Sequence, residues 1–83
     1  MTRSETEKRL KDVIKLANPD LATVIDGAEE TSSLIGDMGL SSVDMLVIVV
    51  AVEETFGVSF EDVNIGDFKT VGDVIDYIEA NAL

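Results

Sequence analysis

Ser42-Val43-Asp44-Met45-Leu46-Val47-Ile48-Val49-Val50-Ala51-Val52-Glu53-Glu54-Thr55-Phe56 can be read in two ways. Valine and isoleucine dominate it, and β-branched residues favour strands. Length argues the other way. These 15 residues contain neither glycine nor proline, exceed a usual strand, and do not alternate between apolar and polar. Met45, Ile48, Val49, Val52 and Phe56 instead recur at spacings of three and four, which places them on one helical face. Gly57 follows as a left-handed C-terminal cap, with Val58 as its apolar follower. The segment over 42–56 is therefore predicted to be a helix, and the chain all-α.

At ~100° per residue the same helix carries a second apolar strip, formed by Val43, Leu46, Val47 and Val50. A helix that is apolar nearly all round is either buried on both sides or offers one side to something else. The strip is thus covered by a loop of this chain or left as a docking surface.

Immediately before the helix stand Gly39-Leu40-Ser41-Ser42, a glycine turn followed by two serines. A serine here sits among backbone N–H groups that the helix leaves unpaired, where negative charge is favoured. The plainest role is an N-cap worth ~1 kcal/mol. One cap suffices, and two serines are present.

Working outward, residues 4–17 place Leu10, Val13, Ile14 and Ala17 on one stripe, with Ser4 and Glu7 at capping-box spacing and Asn18-Pro19 as a stop. Residues 20–40 show no sustained period. Their apolar members, from Leu21 to Leu40, suggest a connection laid over the core, with a short helical turn around Leu21 to Ile25. After the central helix, a short helical element is expected over 59–65, with Ser59 and Asp62 at capping spacing and Phe60 and Val63 facing inward. A last helix over 70–81 opens on Thr70 and Asp73 and carries Val71, Val74, Ile75 and Ile78 as its stripe. The expected architecture is a single-domain bundle of three main helices and one short one, with a long first connection.

Composition narrows what such a bundle does. The chain has 83 residues and no cysteine, so neither a disulfide nor a thiolate metal site supplements its small core. The longest unbroken apolar run, Met45 to Val52, falls well short of the ~20 residues of a membrane span. The N-terminus lacks the apolar stretch of a secretory signal, and the chain reads as soluble and cytoplasmic. The net charge of −11, from 17 acidic and 6 basic residues, opposes nucleic-acid binding and steers the protein toward basic patches on partners. Without histidine, the usual general base is missing, and no lysine lies close in sequence to activate a serine nucleophile. Catalysis by this chain alone is disfavoured. Asp62, Asn64 and Gly66 match only part of a calcium-binding loop, which lacks its closing glutamate here.

Taken together, these motifs resemble the acyl carrier proteins. That family attaches phosphopantetheine to the serine of a Gly-x-Asp-Ser-Leu motif at the start of its second helix, where this chain has Gly39-Leu40-Ser41-Ser42-Val43. Asp37-Met38 before it, Glu53-Glu54-Thr55-Phe56-Gly57-Val58 after it and Thr70-Val71-Gly72-Asp73 further on resemble the family's flanking patterns in order and spacing. The resemblance implies that Ser42 carries 4'-phosphopantetheine, derived from coenzyme A and added by a separate phosphopantetheinyl transferase, with Ser41 as the alternative acceptor. It implies a monomeric, non-catalytic carrier that shuttles acyl thioesters in fatty-acid or polyketide-type biosynthesis. Its partners would be acyl-transferring or acyl-modifying enzymes with basic patches, docking on Val43, Asp44, Val47, Val50, Glu53 and Glu54. Apolar residues lining the bundle would shelter the acyl chain. Two departures stand out: Ser41 replaces the family's aspartate, which helps the modifying enzyme, and Val47 stands where fatty-acid carriers often have glutamate. They point to a specialised carrier with dedicated partners. The competing reading is a carrier-like interaction module that is never modified.

Overall fold

The computed structural model describes residues 2–61 and 64–81. Among these residues four α-helices follow in order: α1 (Arg3–Ala17), α2 (Ala22–Asp26), α3 (Ser42–Phe56) and α4 (Val71–Asn81). 3₁₀ turns lie at Pro19–Leu21 and Ile65–Asp67. Among the described residues no strand forms, and an isolated bridge joins Ser33 to Thr70. The fold is all-α, with three long helices and one short.

The short α-helix lies inside the first connection, as α2, rather than over 59–65. Ser59 and Phe60 are not helical, and the Phe60 N–H donates to Glu53 Oε2 at 2.9 Å. Further on, the Asn64 side chain accepts from the Gly66 N–H at 2.9 Å and opens the 3₁₀ turn. Side chains therefore take up backbone N–H groups of this segment, which forms no α-helix among its described residues. Asp62 and Val63, which the expected element used for capping and core contact, lie outside the described residues.

The start of α1 also differs from expectation. Two Ser/Thr-x-x-Glu boxes overlap at the N-terminus, and the earlier one forms. The Glu5 N–H donates to Thr2 Oγ1 at 3.1 Å, and Glu5 Oε1 accepts from the Thr2 N–H at 3.3 Å. This register extends the helix to include Arg3. The Arg3 guanidinium then reaches Glu30 in the first connection and both Asp76 (2.9 Å) and Glu79 (2.7 Å) on α4.

The core forms where the three long helices turn their apolar stripes together. Leu10, Val13 and Ile14 come from α1, Met45, Ile48, Val52 and Phe56 from α3, and Val71, Val74, Ile75 and Ile78 from α4. The first connection closes the bundle with Ile25, Ala28, Leu34, Met38 and Leu40, all buried. That accounts for its length: it is a core layer without periodicity, not a free loop. Its edge is fastened to α4 and the segment just before it by backbone bonds from the Leu34 N–H to Lys69 O (2.9 Å) and from the Gly72 N–H to Glu30 O (2.8 Å). Beyond α3, Gly57 caps the helix at φ +68°, and Phe60, Phe68 and Tyr77 pack their rings into one cluster.

Candidate functional site

The backbone that delivers the two serines is held from below. Gly39 turns the chain at φ +77°, and Leu40, buried in the core, donates its N–H to Leu34 O at 3.2 Å. Ser41 is then extended and forms the N-cap of α3, and Ser42 is the first helical residue.

The two hydroxyls have different fates. Ser41 Oγ accepts from the Asp44 N–H at 3.1 Å, and Asp44 Oδ2 accepts from the Ser41 N–H at 3.0 Å, completing a capping box. Asn18, at the end of α1, adds a bond to Asp44 Oδ2 at 3.3 Å. These donors, the Ser41 N–H foremost, hold the Asp44 carboxyl below its ordinary range. Ser42 is exposed, and among the described residues its hydroxyl has no hydrogen-bond partner. The Ser42 and Val43 N–H groups are likewise left outside the helical ladder, as first-turn donors are.

Ser42 also stands at the rim of a cavity of about 580 Å³. Ile35, Met45, Leu46, Ile65 and Phe68 supply its apolar walls, and Gly36 and Gly66 thin the wall on two sides. Its polar side chains are Ser33, Ser42 and Lys69. Ser33 Oγ is already engaged, accepting from the Asp37 N–H at 2.7 Å. The cavity joins three stretches far apart in sequence: the first connection, the start of α3 and the turn before α4. Reasoning from sequence tied only Ser42 and the α3 apolar residues among these to the carrier site, and read Ile65 and Gly66 in other roles. The Ile35-Gly36 and Ile65-Gly66 pairs, each an apolar residue beside a glycine outside any helical period, are the signal that was available.

The second apolar strip of α3 is open. Val43 is 69% exposed, Leu46 57%, Val47 49% and Val50 54%. The first connection sends Ile25, Leu34, Met38 and Leu40 into the core, leaves Val24 and Ile35 exposed, and does not cover the strip. Val43, Val47, Val50 and the exposed Glu54 lie at helical spacing on one stripe. The remaining two acidic residues of the expected surface are tied down. Asp44 serves the cap described above, and half-buried Glu53 holds the Phe60 N–H.

What this arrangement can do is present a free hydroxyl at a helix N-terminus, beside unpaired N–H donors and over an apolar chamber. Those features suit a phosphate ester carrying an apolar load. Comparison with known proteins points to the same chemistry. The family model described as "Phosphopantetheine attachment site" matches residues 8–78. The acyl carrier protein of Coprothermobacter proteolyticus is 37% identical over 83 residues, covering 98% of this chain and 95% of that protein. The putative mitochondrial acyl carrier protein of Schizosaccharomyces pombe is 33% identical over 98% of this chain and 70% of its own length. The acyl carrier protein of Renibacterium salmoninarum is 32% identical over 90% of this chain and 93% of its own length.

Proposed function

The chain belongs to the acyl carrier proteins of the phosphopantetheine-attachment family, and we propose that Ser42 is the residue on which it carries its prosthetic group. It is a non-catalytic carrier of acyl groups on 4'-phosphopantetheine. When attached, that group supplies a thiol at the end of a flexible arm, on which an acyl chain is held as a thioester.

One observation carries the assignment: of two adjacent serines, only Ser42 has a hydroxyl that is exposed, unbonded among the described residues and at the rim of the apolar cavity. Ser41 spends its oxygen on the cap. The residues fit the group in three ways. Unpaired N–H donors at the start of α3 favour the added phosphodiester charge by ~0.3–1 kcal/mol. Ile35, Met45, Leu46, Ile65 and Phe68 give an aliphatic chain an apolar wall. The absence of histidine from the chain is no defect, because a separate phosphopantetheinyl transferase brings the base that takes the Ser42 proton.

The open strip of Val43, Val47 and Val50, bordered by Glu54, is the surface we assign to partner enzymes. Its apolar centre supplies contact area, and the acidic field around it draws basic patches. Asp44 and Glu53 act on that surface indirectly, by holding α3 and the chain after it in position. We place the carrier in the cytoplasm, acting as a monomer in fatty-acid or polyketide-type biosynthesis. Ser41 in place of aspartate and Val47 in place of glutamate favour dedicated partners over general ones.

The test is incubation with coenzyme A and a broad-specificity transferase, followed by intact-mass measurement. One phosphopantetheine mass is expected on the unaltered protein and on Ser41→Ala, and none on Ser42→Ala. Label persisting on Ser42→Ala would move the site. No label from several transferases, in a protein that also carries none when isolated, would favour the unmodified interaction module.

A further inference from the structure

We propose that Lys69 is the cation that pairs with the phosphodiester carried on Ser42. The inference rests on the reading that Ser42 is the attachment residue. Charge is unevenly spread along this chain. Five of the six basic residues, Arg3, Lys8, Arg9, Lys11 and Lys15, lie in α1, and of the 17 acidic residues only Glu5, Glu7 and Asp12 lie there. From Asn18 onward, Lys69 is the one basic residue in an otherwise acidic sequence. It stands at the cavity that Ser42 rims, and it is the only charged residue among the described residues that line it.

The root of Lys69 is fixed and its tip is not. Its carbonyl accepts from the Leu34 N–H at 2.9 Å, and its N–H donates to Asp73 Oδ2 at 3.0 Å. The first bond, with the Ser33–Thr70 bridge beside it, ties the residue to the stretch of the first connection that walls the cavity. The second ties it to α4. The ammonium is exposed and makes no ion pair among the described residues, where Arg3 and Lys15 make theirs. Asp73, a carboxylate on which its charge acts, is already taken up by the Lys69 and Thr70 N–H groups.

The unmodified Ser42 side chain is neutral, so no charge among the cavity residues answers Lys69. A phosphodiester there adds to a net charge of −11, and the acidic field opposes it unless a counter-charge stands close. A lysine ammonium is a point charge on a flexible four-carbon stem, which suits a phosphate at the base of a movable arm. Pairing draws the root of that arm over the cavity mouth toward the turn before α4. The strip of Val43, Val47 and Val50, none of which lines the cavity, then stays clear for partners.

NMR of the Lys69 side chain before and after phosphopantetheine addition tests the pairing. The Lys69 Hε and Cε signals should move on modification, and those of Lys8 should not. Melting temperature gives a second readout, taken as modified minus unmodified form. At low ionic strength that difference should be lower in Lys69→Gln than in the unaltered protein, and Lys69→Arg should match the unaltered protein. The gap should close at about 1 M salt, where the Debye length is ~3 Å. Lys69 signals indifferent to modification would overturn the proposal, as would the same melting difference in Lys69→Gln. The NMR arm needs no variant of Lys69, so it decides even if Lys69→Gln fails to fold. Where no mass is added, Ser42→Cys decides instead, because it supplies a single thiol in a chain without cysteine. Sulfonatoethyl methanethiosulfonate then places an anion at position 42 without a transferase, and the hydroxyethyl reagent is the neutral control. Lys69 signals that move with the anion alone uphold the pairing while the phosphopantetheine reading fails. Signals that treat both labels alike overturn it.

Discussion

Ser41 and Asp44 hold each other by two reciprocal bonds: the Asp44 N–H donates to Ser41 Oγ at 3.1 Å, and the Ser41 N–H donates to Asp44 Oδ2 at 3.0 Å. This pair divides the labour of the serine doublet. Ser41 is consumed in starting α3, which frees Ser42 from any capping duty. It also explains why serine can stand at position 41. A hydroxyl there does the capping that a carboxylate would otherwise do.

The division predicts opposite phenotypes for neighbouring substitutions. Ser41→Ala should lower stability by ~1 kcal/mol, the usual cost of a lost N-cap, while leaving mass addition intact. Ser42→Ala should change stability by less than ~0.5 kcal/mol, as an exposed substitution does, while abolishing mass addition. Urea denaturation and intact mass check both.

The Asp44 bonds have a pH signature. Its folded-state pKa is depressed, chiefly by the Ser41 N–H, so its contribution is complete above the unfolded carboxylate value and is lost as pH falls through the lower folded value. Comparing the protein with Asp44→Ala, the stability difference should be constant near neutrality, shrink below about pH 4, the ordinary carboxylate range, and vanish in stronger acid. The comparison cancels the relief of repulsion that acid brings to a chain of net charge −11. A pH-independent gap would refute it. Asp73, whose carboxylate accepts from the Thr70 and Lys69 N–H groups, should behave with the same sign.

Arg3 ties α1 to the first connection and to α4 through Glu30, Asp76 and Glu79. Glu30 above all raises the guanidinium pKa, and Arg3 lowers that of Glu30. Arg3→Gln should destabilise the protein at low ionic strength, and the loss should shrink at high salt, because these groups are partly exposed and screened. Thermal melts across a salt series read this directly.

Gly39 and Gly57 both sit at positive φ with open space where a Cβ would go. The penalty for alanine is therefore conformational and not steric. Each substitution should cost ~1–2 kcal/mol in chemical denaturation, Gly39→Ala by straining the entry to α3 and Gly57→Ala by straining its exit.

Val43 and Val47, at 69% and 49% exposure, lie outside the core. Val43→Ser with Val47→Ser should leave the denaturation midpoint nearly unchanged and weaken engagement with the modifying transferase several-fold, measured as a rise in KM. An unchanged KM would remove these residues from the docking surface.

Much of this protein could be read without its structure. The long helices, their caps at Ser41 and Thr70 and the glycine stop at Gly57 all appear in local spacing, because helix periodicity and capping join residues only a few positions apart. Even there, two overlapping boxes at Thr2 and Ser4 could not be ranked by pattern. The structure forms the earlier one, which brings Arg3 into α1, where it meets Glu30 in the first connection and Asp76 and Glu79 on α4.

The serine doublet, the apolar surplus of α3 and the acidic balance are properties of the amino-acid string itself, and they suffice for a small carrier bundle. Whether the surplus strip is covered, whether Glu53 is free or holds the Phe60 backbone, and which residues line the cavity beside Ser42 are not. Each depends on side chains from the first connection, α3 and the turn before α4 meeting in one place. Only the packing of the bundle sets those distances, since neither spacing nor composition encodes which distant residues share a wall.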